Sequence, residues 1–113
     1  MEDEKNLKAL YIIVNAGFAD DVVEIARRAG AGGGTIINAR GSGPLHKSIL
    51  GITVDTEKEI VLSVVNGPTV EKIMAAIKEK AGWNSPANGI CFMVPVEKCW
   101  LSNNNVSLIT RPD

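Results

Sequence analysis

Aliphatic side chains fill consecutive positions in three β-rich runs of this sequence, and this feature constrains the fold most. The runs are 9–14 (ALYIIV), 59–65 (EIVLSVV) and 90–96 (ICFMVPV). A strand with one face in water alternates apolar with polar residues, whereas these runs carry apolar residues at both odd and even positions. We therefore expect both faces of the resulting sheet to be covered.

Two amphipathic helices are predicted between the strands, at 19–29 and at 68–81. In both segments apolar residues recur at i, i+3, i+4 and i+7, the spacing that places side chains on one face of a helix. They are Val22, Ile25, Ala26 and Ala29 in the first helix and Val70, Ile73, Met74 and Ile77 in the second. A further β-rich run, 35–40, follows the glycines at 32–34. The elements thus follow the order β-α-β-β-α-β.

This order predicts an α+β fold, a ferredoxin-like βαββαβ sandwich in which two helices pack on one face of a four-stranded antiparallel sheet. A chain of 113 residues has an ordinary size for a single domain. We expect a core at 8–96, a loop at 44–57 and a polar tail at 97–113. Because the two helices can cover only one face of the sheet, we predict that the same face of further copies covers the other, in an obligate homo-oligomer.

The charge balance and the lack of long apolar runs exclude several classes of partner. There are 12 basic and 13 acidic residues, the net charge is −1, and no basic cluster is longer than Arg27 and Arg28. Duplex nucleic acid is therefore not expected as a partner. No apolar run reaches the roughly 18 to 20 residues of a membrane span, and residues 1–8 lack an apolar signal core. We expect a cytoplasmic protein without membrane insertion.

Residues for catalysis or metal binding are scarce. His46 is the one histidine and lies in the predicted loop, where we expect it to be solvated. Cys91 and Cys99 do not have the spacing of a redox motif or a metal site, and we expect Cys91 to be a buried strand residue. The acidic pair Glu57 and Glu59 suits a strand edge. We therefore predict no catalytic residues, no metal ligands and no enzymatic activity.

Two glycine clusters, at 32–34 and 41–43, flank the predicted strand 35–40. Consecutive backbone N–H groups in a Gly-x-Gly sequence can form a site for an anion. The same glycines can equally serve only to permit turns. The residues alone leave both interpretations open.

Two short motifs accompany this order of elements. The first comprises Gly33, Gly34, Thr35, Ile36, Ile37, Arg40, Gly41, Ser42 and Gly43, and the second comprises Asn88, Gly89, Phe92, Pro95 and Val96. Together with the order of elements, these motifs resemble those of PII-type (nitrogen regulatory) signal-transduction proteins. The first matches the family pattern G-x-T-V-x-x-V-K-G-x-G, and the second matches the family's later glycine loop and the strand that follows. The resemblance covers about 10–43 and 59–96. It implies a homotrimer that binds an adenine nucleotide as effector in the clefts between its subunits and regulates a protein partner.

The resemblance also implies a set of ligand-binding residues. Ile13 and Thr35 would line the adenine pocket, Arg40 would stand in place of a family lysine, and residues 88 and 89 would close the pocket from the neighbouring side. The backbone of the Gly-x-Gly segment would face the ligand. The full set is Ile13, Thr35, Arg40, Gly41, Ser42, Gly43, Asn88 and Gly89.

Several basic residues of the family are replaced in this sequence. Pro44, Ile90, Leu101 and Asn103 stand where the resemblance leads us to expect arginine or lysine. Since each charge-assisted contact to phosphate contributes about 1.5–3 kcal/mol, triphosphate binding should be much weaker. AMP, ADP or another less charged metabolite therefore fits better than ATP.

The loop 44–57 is shorter than the family's partner-contacting loop and contains no tyrosine, so nucleotidylation there is not expected. Its apolar residues predict that it docks on a protein target or folds over the cleft, although packing on its own subunit would explain them equally. Two other functions remain open. The chain could be a scaffold that has lost its ligand, or a metal-handling protein similar to the CutA family.

Overall fold

The computed structural model describes residues 6–41 and 56–100, and the backbone alone of 47–49 and 52–54. The elements in chain order are β1 (Leu7–Asn15), α1 (Ala19–Arg28), β2 (Thr35–Gly41), β3 (Lys47–Ile49), β4 (Ile52–Val54), β5 (Thr56–Asn66), α2 (Gly67–Ala81) and β6 (Ile90–Pro95). The predicted residues Ser42, Gly43 and His46 lie outside this part of the chain, as does most of the tail 97–113.

Four strands form an antiparallel sheet in the order β2-β5-β1-β6. Tyr11 at the centre of β1 lies opposite Leu62 of β5 and Phe92 of β6, and Thr35 of β2 also lies opposite Leu62. β3 and β4 form a separate two-stranded hairpin. This topology confirms the predicted ferredoxin-like α+β fold.

The helices pack on one face of the sheet. Leu10, Ile12 and Val14 alternate along β1 and are fully buried, together with apolar residues from both helices such as Val22 and Ile73. The i, i+3, i+4 spacing thus identified the buried helix faces correctly. None of the described helices is long and apolar enough to cross a bilayer.

We call the opposite side of the sheet the open face. By register it carries the intervening residues of the strands, which are Tyr11, Ile13, Ile37, Ile60, Leu62, Val64, Ile90, Phe92 and Val94. Ile90 is 57% exposed and Phe92 is 43% exposed, and the rings of Tyr11 and Phe92 stack with their centroids 5.0 Å apart. The sheet is therefore apolar on both faces, as the strand runs predicted, and no described helix packs on this one.

The third predicted strand starts earlier in the structure than its apolar run indicates. β5 begins at Thr56, three residues before the predicted start at Glu59, because the polar residues there pair with the end of β2. The segment 44–57 also contains the hairpin of β3 and β4. Backbone ladders form between polar residues as readily as between apolar ones, so hydrophobic periodicity does not detect these solvent-exposed strand ends.

Glu59 on β5 caps the distant helix α1. Its Oε1 atom accepts hydrogen bonds from the backbone N–H groups of Gly17 (2.9 Å) and Ala19 (3.0 Å). The residue at the helix N-cap itself, Phe18, has no side chain that could do this. The prediction that this acidic residue is structural agrees with its position, since a carboxylate at a helix N-terminus satisfies unpaired N–H groups and stabilises the helix dipole.

Candidate functional site

The end of β1, the start of β5 and the end of β2 lie side by side at one end of the sheet. Lys58 of β5 lies between Asn15 at the end of β1 and Ala39 of β2, and the next two pairs toward the hairpin are Arg40 with Glu57 and Gly41 with Thr56. The aliphatic stem of Lys58 runs beside Gly41, because a Cβ atom at residue 41 would lie 3.6 Å from the Cγ atom of Lys58. Two of the predicted site residues, Arg40 and Gly41, therefore adjoin a lysine that the sequence had not singled out.

The ammonium group of Lys58 is held by a neutral partner. Its Nζ atom donates a hydrogen bond of 2.8 Å to Oδ1 of Asn15. The ion pairs among the described side chains involve Arg27 and Arg28 with Glu24 on α1, and none includes Lys58. The neighbouring carboxylate of Glu59 faces the N-terminus of α1 instead. Lys58 thus presents a positive charge in a fixed place, with no carboxylate partner in the part of the chain that the structure describes.

Asn15 also holds the loop that precedes β6. Its Nδ2 atom donates to the carbonyl oxygen of Pro86 (3.0 Å), and its backbone N–H donates to that of Ala87 (2.9 Å). One asparagine therefore connects the end of β1, the start of β5 and the loop 82–89.

Asn88 and Gly89 have structural roles of their own in this loop. Asn88 adopts a left-handed conformation with φ of 53°, which asparagine tolerates better than most residues. The N–H of Gly89 donates to the carbonyl oxygen of Ala81 at the end of α2 (2.9 Å), and a Cβ atom at residue 89 would lie only 2.3 Å from that oxygen. Residue 89 must therefore be glycine for the loop to close on α2, whatever else it binds.

The remaining predicted residues lie at different places. Ile13 is on the open face opposite Ile60 and Ile90, so it adjoins the start of β6 and the pair formed by Asn15 and Lys58. Thr35 is the first residue of the seven-residue strand β2 and Gly41 is the last, which separates them by roughly 20 Å along the strand. Within one chain, the structure brings Ile13, Asn88 and Gly89 near one another and Arg40 and Gly41 to the same end of the sheet, but it leaves Thr35 at the other end.

Sequence reasoning missed Lys58 and Asn15. Lys58 is a single basic residue between two acidic ones, and Asn15 was read as the residue that closes the first strand. Their contact joins positions 43 residues apart, so it depends on strand register, which composition and periodicity do not reveal.

The cysteine on β6 does not have the character of a reactive thiol. Cys91 is half-buried and not fully buried as predicted, and burial raises the pKa of its thiol to about 11. Its thiolate, the nucleophilic form, is therefore rare at neutral pH. Across the described ranges 6–41 and 56–100, no group of three His, Cys, Asp or Glu side chains has the arrangement of a metal site.

A shallow groove between α1 and α2 contains none of the predicted site residues. It is lined by Ile25, Arg28 and Lys80 among others. Glu24 on its rim accepts hydrogen bonds from Arg27 and Arg28, which hold the pKa of that carboxyl below its usual value. These side chains satisfy one another, and the groove offers no comparable fixed charge.

The family model "Nitrogen regulatory protein P-II" matches residues 7–105. No curated protein sequence matches the chain.

Three solved structures share the fold at low sequence identity. A PII-like signalling protein from Thermus thermophilus is 23% identical with a TM-score of 0.62, covering 80% of this chain and 85% of that one. CPII, a nitrogen regulatory PII-like protein from Thiomonas intermedia bound to ADP, AMP and bicarbonate, is 19% identical with a TM-score of 0.62 and coverages of 80% and 89%. GlnK of B. subtilis in complex with ATP is 16% identical with a TM-score of 0.64 and coverages of 82% and 84%. The chain thus has the fold of these proteins and, by the match that spans most of its length, belongs to the nitrogen regulatory protein P-II family.

Proposed function

We propose that this chain is a PII-like regulatory protein that binds a small anionic metabolite, foremost an adenine nucleotide, in the clefts between the subunits of a homotrimer. Ligand binding in the clefts changes the interaction of this protein with a protein partner. The observation that carries the proposal is the position of Lys58, whose aliphatic stem runs beside Gly41 and whose ammonium group is held by Asn15 without a carboxylate partner among the described residues. A cation that is held in a fixed direction without an internal carboxylate partner is suited to bind phosphate or carboxylate oxygens.

The open face supports assembly into a trimer. Its exposed apolar side chains form a contiguous surface across all four strands, and a surface of this kind on a single chain normally marks an interface. The position of Thr35 supports the same arrangement. Because it lies at the end of β2 opposite to Gly41, Thr35 can contribute to the pocket at residues 13, 41 and 89 only from another copy.

The charges around the site favour ADP or AMP over ATP. Lys58 and Arg40 are the described cations at this end of the sheet, and Ile90, where the resemblance leads us to expect lysine, is apolar and 57% exposed. Two cations can balance the charge of about −2 on a monophosphate, and each further phosphate leaves more negative charge uncompensated. Among the structural relatives, CPII is bound to ADP and AMP, whereas GlnK is bound to ATP.

The hairpin is the candidate for contact with a partner. β2 and β5 lead directly from the site into the segment that contains β3 and β4, the last pair before it being Gly41 with Thr56. A ligand at Gly41 would therefore act on the base of the hairpin. We place this activity in the cytoplasm, as nitrogen-linked regulation by binding and not by catalysis.

Thermal denaturation with ADP, AMP, ATP and 2-oxo acids tests this function. A ligand that binds only the folded protein raises the melting temperature, and at about 100 times its Kd it adds about 2.7 kcal/mol of stability. We expect ADP or AMP to raise the midpoint of the wild type and to raise that of Lys58→Met much less. Lys72→Met, on the exposed side of α2, is the matched control and should respond like the wild type. Absence of any shift at millimolar nucleotide would reject the proposal.

The alternative function is a scaffold that keeps the fold and lacks the ligand. The exposed Ile90 at a position of expected positive charge favours it. A stable trimer that responds to none of the ligands would support the scaffold.

A further inference from the structure

We propose that Asn15 is a positioning residue for the anion site: it holds Lys58 and the loop 82–89 in one rigid unit while leaving the charge of Lys58 available to a ligand. This inference deepens the proposed function and rests on it for the identity of the ligand. It concerns a residue that the sequence motifs do not include.

The two side-chain polar groups of Asn15 and its backbone N–H each have a different hydrogen-bond partner. Oδ1 accepts from Lys58, Nδ2 donates to the carbonyl of Pro86, and the backbone N–H donates to the carbonyl of Ala87. A side-chain amide is suited to this position because it combines one acceptor and one donor on a short, stiff side chain. Aspartate would offer no donor to Pro86, and lysine or arginine would offer no acceptor to Lys58.

Asn15 also acts electrostatically on Lys58. An amide oxygen orients the ammonium group without cancelling its charge, whereas a carboxylate at the same place would form an ion pair with it. A ligand phosphate or carboxylate would then have to compete with this internal carboxylate. Asn15 therefore orients the ammonium group of Lys58 without neutralising its positive charge. Aspartate at residue 15 would neutralise that charge and so remove the attraction of Lys58 for anions.

Asn15 also restrains the position of the loop 82–89. The backbone N–H of Asn88 donates to Ser85 within the loop 82–89, and that of Gly89 donates to Ala81 at the end of α2. The described hydrogen bonds between β1 and the loop are those made by Asn15. Loss of the bond to Pro86 should allow the loop to open more often, which hydrogen exchange of its amides reports. Lys58 on β5 and the loop 82–89 would then no longer be held at a fixed distance from each other.

Two substitutions and a matched control test the proposal. Asn15→Ala removes both side-chain contacts, and Asn15→Asp keeps the contact with Lys58 but neutralises it. Asn38→Asp adds the same negative charge on β2, one position from the partner of Lys58, with no described contact to Lys58 or to the loop. The measurements are ADP affinity by calorimetry from about 50 to 200 mM salt, over which the Debye length falls from about 14 to about 7 Å, and amide exchange of residues 88 and 89 without ligand.

We expect Asn15→Asp to weaken ADP binding about tenfold or more and to flatten its dependence on salt. Asn15→Ala should weaken binding a few-fold and keep the salt dependence, and Asn38→Asp should change affinity less than about twofold. Exchange of the amides of residues 88 and 89 should be about fivefold faster in both Asn15 variants and unchanged in Asn38→Asp.

Two results would overturn the inference: equal weakening by Asn15→Asp and Asn38→Asp, or unchanged loop exchange in Asn15→Ala. If the wild type binds no ADP at millimolar concentration, the proposed function fails as stated. The exchange measurement then decides by itself whether Asn15 holds the loop.

Discussion

Removal of the carboxylate of Glu59 should destabilise the protein, although this residue lies far from α1 in the sequence. Its Oε1 atom accepts two hydrogen bonds, from Gly17 at 2.9 Å and from Ala19 at 3.0 Å. Hydrogen bonds to charged groups contribute about 1.5–3 kcal/mol each, and water can partly replace these because they are not fully buried. We therefore expect Glu59→Ala to lower the free energy of unfolding by about 2–4 kcal/mol, and Glu59→Gln, which keeps a neutral acceptor, by about half as much.

Urea denaturation of the variants at one protein concentration measures this effect, since assembly makes the midpoint concentration-dependent. Glu57→Ala is the matched control on the same strand, because the side chain of Glu57 is exposed and makes no described hydrogen bond. It should change stability by less than about 0.5 kcal/mol. Equal losses for Glu59→Ala and Glu57→Ala would refute the assignment of Glu59 as the cap of α1.

Three further predictions follow from burial and close contacts. Ile37→Asp, on the open face, should dissociate the proposed trimer in light-scattering mass measurements, because burying a carboxylate costs several kcal/mol; Ile36→Asp, equally exposed but on the helix side, should leave the mass unchanged. Gly89→Ala should destabilise the protein by roughly 1–3 kcal/mol in urea denaturation, whereas Gly32→Ala, with no atom within 4 Å of the added Cβ, should not. Cys91, with its pKa raised to about 11, should react with iodoacetamide at pH 8 roughly a hundredfold more slowly in the native than in the denatured protein; equal rates by peptide mass spectrometry would contradict the burial of this thiol.

The protonation of the Cys91 thiol should make the stability of the protein depend on pH in the alkaline range. Its folded pKa lies above the value of 9.0 in the unfolded chain, because burial disfavours the thiolate. The folded state therefore holds this proton more tightly, and stability should fall as pH rises from about 9 toward 11. Cys91→Ser should reduce that part of the alkaline loss of stability.

The sequence predicted the fold because its helical segments have an apolar period of about 3.6 residues, whereas its strand runs are short and apolar at consecutive positions. The helix positions at i, i+3 and i+4, such as Val22 and Ile73, are buried, and the strands are apolar on both sides as their runs indicated. The strand ends were less predictable. Thr56 and Lys58 pair in the ladder although they carry no hydrophobic signal, so β5 extends beyond its apolar run.

The site was predicted in part, because motifs identify backbone constraints better than side-chain contacts. Gly89 stands where a Cβ atom would collide with a carbonyl oxygen, which is the kind of constraint that a glycine motif marks. The contact between Asn15 and Lys58 and the cap formed by Glu59 depend instead on strand register between distant segments. No local pattern of residues encodes those contacts.

The mass of the wild-type protein in solution tests the central claim most directly, since the proposed pocket exists only where copies meet on the open face. Sedimentation equilibrium at micromolar concentration should give three times the subunit mass of 12.0 kDa. A folded species of 12.0 kDa at micromolar concentration would contradict the account.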